Sequence, residues 1–145
     1  MAASFPILQP AIVLVVWSLL VLLWMVAVRI PALRRANLDL RNVGGRGVDL
    51  DGVLPDRVQW KSHNYNHLME QPTLFYAVVL ALALVAPADP WSVWLAWIYV
   101  ALRVVHSVYQ ATINVVLVRS MIFTAYSVVL IALALRAASL IFRTV

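Results

Sequence analysis

Four apolar runs, each long enough to cross a bilayer, govern what this chain can become. The first extends from about Ala11 to Ile30, and a hydrocarbon core of about 30 Å takes about 20 helical residues. The others fall at about residues 63–86, 91–116 and 120–142. Of the 145 residues, 64% are hydrophobic and 12% charged, an apolar excess that a soluble domain of this size cannot hide. The expected fold is an all-α integral-membrane protein. It is a single antiparallel four-transmembrane-helix bundle over residues 1–145, with helices at about 8–30, 63–86, 91–116 and 120–142. The opening MAASFPILQP lacks a positively charged start, and the first run exceeds a signal-peptide core, so it reads as a retained span.

The connections set the topology. Ala86-Pro87-Ala88-Asp89-Pro90 is a tight break, with Asp89 placed to cap a helix and Pro90 at its first position. The turn near Leu117–Arg119 is also short, so neighbouring helices run antiparallel. Only residues 31–62 form a long connection, with Gly44, Gly45 and Gly47 favouring irregular backbone. That loop holds Arg34, Arg35, Arg41, Arg46, Arg57 and Lys61, diluted by Asp39, Asp49, Asp51 and Asp56. Such a loop reads as cytoplasmic, which puts both termini on the opposite side, in keeping with a bacterial inner-membrane protein. The formal charge of +5 therefore belongs to a mixed-sign membrane loop and gives no reason to expect nucleic acid. The chain has no cysteine, which removes disulfides, thiolate metal sites and a cysteine nucleophile. Trp91 and Trp94 start the third run, where an aromatic belt is expected.

Polar residues inside the spans are the functional signal, since a charge at a helix centre costs roughly 2.5–3.5 kcal/mol unless it faces protein or water. His63, Asn66, His67 and Glu70 are spaced i, i+3, i+4, i+7 and share one helical face. Arg103, His106, Gln110 and Asn114 form a second stripe at i, i+3, i+7, i+11, and Arg119 and Ser120 open the fourth helix at a similar height. Three helices thus bring polar faces to one depth near the loop side. Each residue also has a plainer role. Arg103 and Glu70 could form a buried ion pair, Asn114 could bond across helices, and His63 could be an interfacial residue. Arg119 could cap its turn, and Arg136 could snorkel. Pro72 frees the carbonyl of Leu68 and bends the second helix. His63 and His67 are a weak metal pattern that nearby arginines oppose, and no metal site is expected.

Three places resemble the MAPEG family, membrane-associated proteins in eicosanoid and glutathione metabolism. They are the polar helix start ending in Glu70 and Pro72, the segment RVVHSVYQ from Arg103 to Gln110, and VRSMIF with Arg119 and Ser120. Arg29 sits where that family places a basic residue at the end of its first helix. The resemblance implies a homotrimer with glutathione bound in a cleft between subunits, acting as a transferase or peroxidase on lipophilic electrophiles. It makes Arg119 the residue that stabilises the thiolate. Arg29, His63, Asn66, His67, Glu70, Arg103, His106, Gln110 and Ser120 would line the glutathione site. The pattern departs from the family at His63, His67, Gln110 and Phe123, which stand where the family usually has arginine, asparagine and two tyrosines. Two other readings therefore stay open: a non-catalytic subunit of a larger membrane assembly, and a protein that binds lipids or other lipophilic small molecules.

Overall fold

The computed structural model describes residues 5–36 and 47–143. Arg41, Arg46, Asp39, Gly44 and Gly45 of the long connection lie outside the described residues. The first helix, α1 (Leu8–Arg35), runs on through Pro31 and ends in a turn carrying Arg34 and Arg35, where cations meet the negative end of the helix dipole. After a 3₁₀ turn (Gly47–Leu50), α2 (Asp56–Glu70) begins well before residue 63. Hydropathy marks where a helix enters the bilayer. Polar residues such as Gln59, Lys61 and Ser62 carry the same helix beyond it. The connection expected over 31–62 is accordingly helical at both ends.

The second span is one helix in two segments. Gln71 keeps helical dihedrals (φ −63°, ψ −34°), and Pro72 opens α3 (Pro72–Val85). Proline has no N–H, so the ladder loses the bond to the Leu68 carbonyl. Asp89 then caps α4 (Pro90–Thr112) as the sequence implies: its carboxylate accepts the Ser92 N–H at 2.9 Å and the Ser92 hydroxyl at 2.6 Å. The third span stops at Thr112, short of 116. The N–H groups of Ile113 and Asn114 both donate to the Tyr109 carbonyl, at 2.9 and 3.0 Å. Asn114 takes φ +58°, a left-handed stop that asparagine tolerates better than most residues. The last helix, α5 (Val116–Ile141), starts at once.

Helix α4 lies at the centre, packed on α1, α2 and α5. Phe75 of α3 stacks on Tyr99 of α4 with centroids 4.5 Å apart, and Tyr99 meets Tyr126 of α5 edge-on at 5.8 Å. Leu14, Val21, Val79, Leu82 and Leu133 fill the rest of the core. Outward, Ile12, Leu19, Leu23, Leu84, Met121 and Leu135 are exposed. Buried polar backbone and apolar outer faces are what a bilayer demands. Four helices are long and apolar enough to cross it, so the chain is an integral membrane protein.

The bundle has two distinct ends. At the end bearing both termini, Ile7 is fully buried and its N–H donates to the Pro87 carbonyl at 3.3 Å. Arg136 does more than snorkel there: its Nη2 and Nε donate to the two oxygens of Asp89 at 2.8 and 3.2 Å. The Arg136 bonds, aided by those of Ser92, hold the Asp89 carboxyl well below the usual carboxylate range. The other end gathers Arg35, Asp51, Pro55 and Asn114.

Candidate functional site

The α4 stripe turns inward. Arg103 is 1% exposed, His106 2% and Gln110 4%. Arg103 Nη1 donates to the Tyr126 hydroxyl at 2.7 Å, and Nη2 donates to the His67 carbonyl at 2.8 Å. The guanidinium carbon also lies 4.7 Å from the centre of the Tyr126 ring, a cation–π contact strengthened by the dry setting. The ion pair with Glu70 that the spacing allows does not form. The Glu70 side chain is 72% exposed, and the basic side chain within 4 Å of it among the described residues is the His67 imidazole, with Nδ1 at 3.6 Å.

Behind His67 the rings interlock. His67 meets His106 edge-on at 5.0 Å, His106 meets Tyr126 at 5.4 Å, and Phe123 leans on His67 at 5.7 Å. Deeper still, the Asn64 amide donates to the Ser107 hydroxyl at 2.8 Å, both residues being buried. These contacts lock α2, α4 and α5 together.

The other candidates face outward or toward the loop end. Asn66, Glu70, Ser120 and Phe123 are exposed, and Arg119 is half-buried. Arg119 Nη1 donates to the Asn114 side chain at 2.9 Å, and among the described residues it pairs with no carboxylate. Asn114 therefore holds the turn and Arg119 rather than continuing the α4 stripe across helices. His63 Nε2 lies 3.1 Å from Asp51 Oδ1, which also accepts from the Gln59 amide at 2.6 Å. Arg29 Nη1 donates to the Ser62 hydroxyl at 2.6 Å, tying α1 to α2. Among the described residues no group of three His, Asp or Glu could hold a metal.

The single face expected to unite His63, Asn66, His67 and Glu70 is thus divided: His67 leans into the bundle while Asn66 and Glu70 point out. The inward register of α2 is set instead by Asn64 and Leu68, and continues in Phe75 of α3. That spacing of i, i+4 and i+11 is visible in the sequence once Asn64 is counted as an interior residue. Tyr126, Ser107 and Asp51 were also missed as partners; only Ser107 carries a local signal, since it follows His106 directly. The divided set separates two kinds of chemistry. Among the inner residues Arg103 bonds Tyr126 and the His67 carbonyl and Asn64 bonds Ser107, which suits packing, while His106 Nε2 and Gln110 Oε1 are buried with no hydrogen-bond partner among the described residues. The outer ones offer a guanidinium, a hydroxyl, a carboxamide and a carboxylate to whatever lies against the bundle.

Exposed polar groups on a lipid-facing bundle, together with the arginines of α4 and α5, are features that an established family can be compared with. The sequence model of the MAPEG family matches residues 7–139, spanning all four membrane-crossing runs. No curated protein and no solved structure matches the chain. Fold, membrane character and the extent of that match agree, and the chain belongs to the MAPEG family.

Proposed function

We propose that the protein is a membrane-embedded glutathione-dependent transferase or peroxidase acting on lipophilic electrophiles, with Arg119 stabilising the thiolate. The observation that carries this reading is Arg119 itself: a half-buried guanidinium at the first turn of α5, held by a neutral amide, with exposed Ser120 beside it. Its charge is not neutralised by a described carboxylate. A guanidinium in a poorly hydrated cleft favours an ionised thiol and lowers its pKa. Glutathione supplies that thiol, the nucleophile that adds to an electrophile or reduces a hydroperoxide.

The donor set fits such a ligand at three points. Arg119 meets the sulfur, Ser120 and Asn66 offer hydrogen bonds, and the exposed Glu70 carboxylate accepts an ammonium. Asn66 and Glu70 on one helix and Ser120 on another would otherwise stand in lipid at a cost of several kcal/mol. A neighbouring copy in a homotrimer would cover them and close the cleft, with the loop end facing the cytoplasm. The interior residues Arg103, His106 and Gln110 then hold the cleft wall in place.

A second reading, a lipid-binding or accessory member of the fold, is favoured by one observation. His63 faces the carboxylate of Asp51, where the carboxylates of glutathione call for an uncommitted cation. Calorimetric titration of glutathione into the purified protein tests the two. The enzyme reading expects binding that weakens by about tenfold or more in Arg119→Ala, the scale of a lost charge-assisted contact, and also weakens in Glu70→Gln. No heat at millimolar glutathione overturns it in favour of the second reading.

A further inference from the structure

Where α1 leaves the membrane, a recess of about 390 Å³ opens between its last turns and the start of α2. Val28, Pro31 and Ala32 form one wall, and Val53, Pro55 and Val58 form the other. A tight turn builds the second wall. The Leu50 carbonyl accepts the N–H groups of both Val53 and Leu54, each at 3.1 Å, and Gly52 just before them takes φ +81°, where a side chain would be strained. Leu54 is 3% exposed and anchors the turn in the bundle, while Val53 is left 50% exposed on the recess side. Arg35, itself exposed, completes the lining. Arg34 beside it and Arg57 in the first turn of α2 are exposed too. Among the described residues none of the three arginines is in an ion pair. Asp51 and Asp56 line a separate recess with Trp60, His63 and Asn114. The loop end thus sorts its charges, acids to one recess and a guanidinium to the other.

The depth of the recess matches the layers of a bilayer. The apolar run of α1 ends near Ile30, so Val28 stands at the edge of the hydrocarbon and Arg35 lies roughly 7–8 Å beyond Ile30. The headgroup layer on each side is roughly 5–8 Å thick. Phosphates therefore stand at the level of Arg35, and glycerol and the first acyl carbons at the level of Val28 to Ala32. A half-exposed valine at headgroup depth gains from an apolar cover that water does not give. We propose that this recess seats one anionic phospholipid of the loop-side leaflet. Its phosphodiester accepts from the Arg35 guanidinium, whose planar fork matches two phosphate oxygens. Its glycerol and upper acyl carbons cover Val28, Ala32, Val53 and Val58. Arg34 and Arg57 add attraction for net negative charge and disfavour the ammonium of a zwitterionic headgroup. Bound there, the lipid ties the turn at residues 50–54 to the end of α1, alongside the bond from Arg29 to Ser62. The seat is independent of the glutathione-dependent reading and is tested apart from it.

For the test, the full chain in detergent is mixed with equal amounts of phosphatidylglycerol and phosphatidylcholine, and retained lipid is identified by native mass spectrometry. Selective retention of phosphatidylglycerol is the expected result. Arg35→Gln should lower that selectivity by about fivefold, the scale of one juxtamembrane charge. Arg143→Gln makes the same change of charge at the end bearing both termini and should leave the selectivity intact. Ala32→Phe, which fills the recess, should reduce retention by about tenfold or more. Glycerol 3-phosphate, a phosphate without tails, should not displace the lipid at millimolar concentration. Equal loss in Arg35→Gln and Arg143→Gln overturns the seat, because bulk charge then explains the binding. Retention indifferent to Ala32→Phe overturns it too, and displacement by glycerol 3-phosphate does so by marking a free-anion site. A cysteine pair, Ala32→Cys with Leu40→Cys in a chain without native cysteine, tests the chain's own residues 37–46 as the occupant. Cross-linking suppressed by phosphatidylglycerol agrees with the seat. Cross-linking that the lipid leaves unchanged overturns it, since residues 37–46 then fill the recess.

Discussion

Arg103 is a charge in the middle of a membrane bundle, and its surroundings show how that is sustained. The guanidinium gives one N–H to a phenol, one to a backbone carbonyl, and lies on an aromatic face. No carboxylate is involved among the described residues, so the site keeps a net positive charge that neutral dipoles solvate. Arg103→Ala leaves the Tyr126 hydroxyl buried without its donor and opens a void at the α2–α4–α5 junction. We expect a loss of about 3 kcal/mol, combining cavity and unpaired-polar costs, read as a lowered midpoint of thermal unfolding in detergent. Arg103→Lys should recover part of it, because an ammonium reaches one acceptor where the planar fork reaches two. The presence of this arginine on a buried face was legible from its spacing with His106 and Gln110. Its partners were not. Tyr126 and the His67 carbonyl come from other helices, and no periodicity within α4 points to them.

At the scale of elements, legibility follows how sharply a helix divides its polar and apolar faces. Helix α4 places Arg103, His106 and Gln110 between apolar residues, so its inner face is readable. Helix α2 carries His63, Asn64, Asn66 and His67 within a single turn and a little more, with polar groups at nearly every angle. Its rotation is then decided by tertiary contacts such as Asn64 with Ser107, which is why Asn66 and Glu70 emerge on the outside. The tie between elements at the opposite end makes a separate prediction. Asp89 caps α4 and binds Arg136 of α5, and its carboxyl is held below the usual range in the folded protein. In the unfolded chain it returns to about 4. Its stabilising contribution is therefore complete above about pH 4 and is lost as pH falls from there through the depressed folded value. Thermal unfolding followed below about pH 5 should show this acid-dependent loss in the wild type and a flatter profile in Arg136→Gln.

For the whole molecule, the four-span architecture was legible because twenty-residue apolar runs admit few alternatives in a bilayer. The limits of the runs were less so. Hydropathy reports the membrane slab, while helices begin and end where backbone hydrogen bonds do, at Asp56 beyond the slab and at the left-handed Asn114. The buried stripe of α4 also bears on how the protein is made. Helix α4 is the least apolar of the four spans, and the phenol that solvates Arg103 belongs to α5, which leaves the ribosome later. Until α5 arrives, α4 carries a charge with an incomplete shell, so the lateral gate of the translocon should release it poorly by itself. Nascent chains stopped after residue 115 and probed by engineered glycosylation sites should show α4 incompletely integrated, and chains extended through α5 should show it fully so. Equal integration at both lengths would mean that α2 alone shelters the arginine. On the first outcome the last two helices enter the membrane as one hairpin, and synthesis of the final span is the step that commits the chain to its topology.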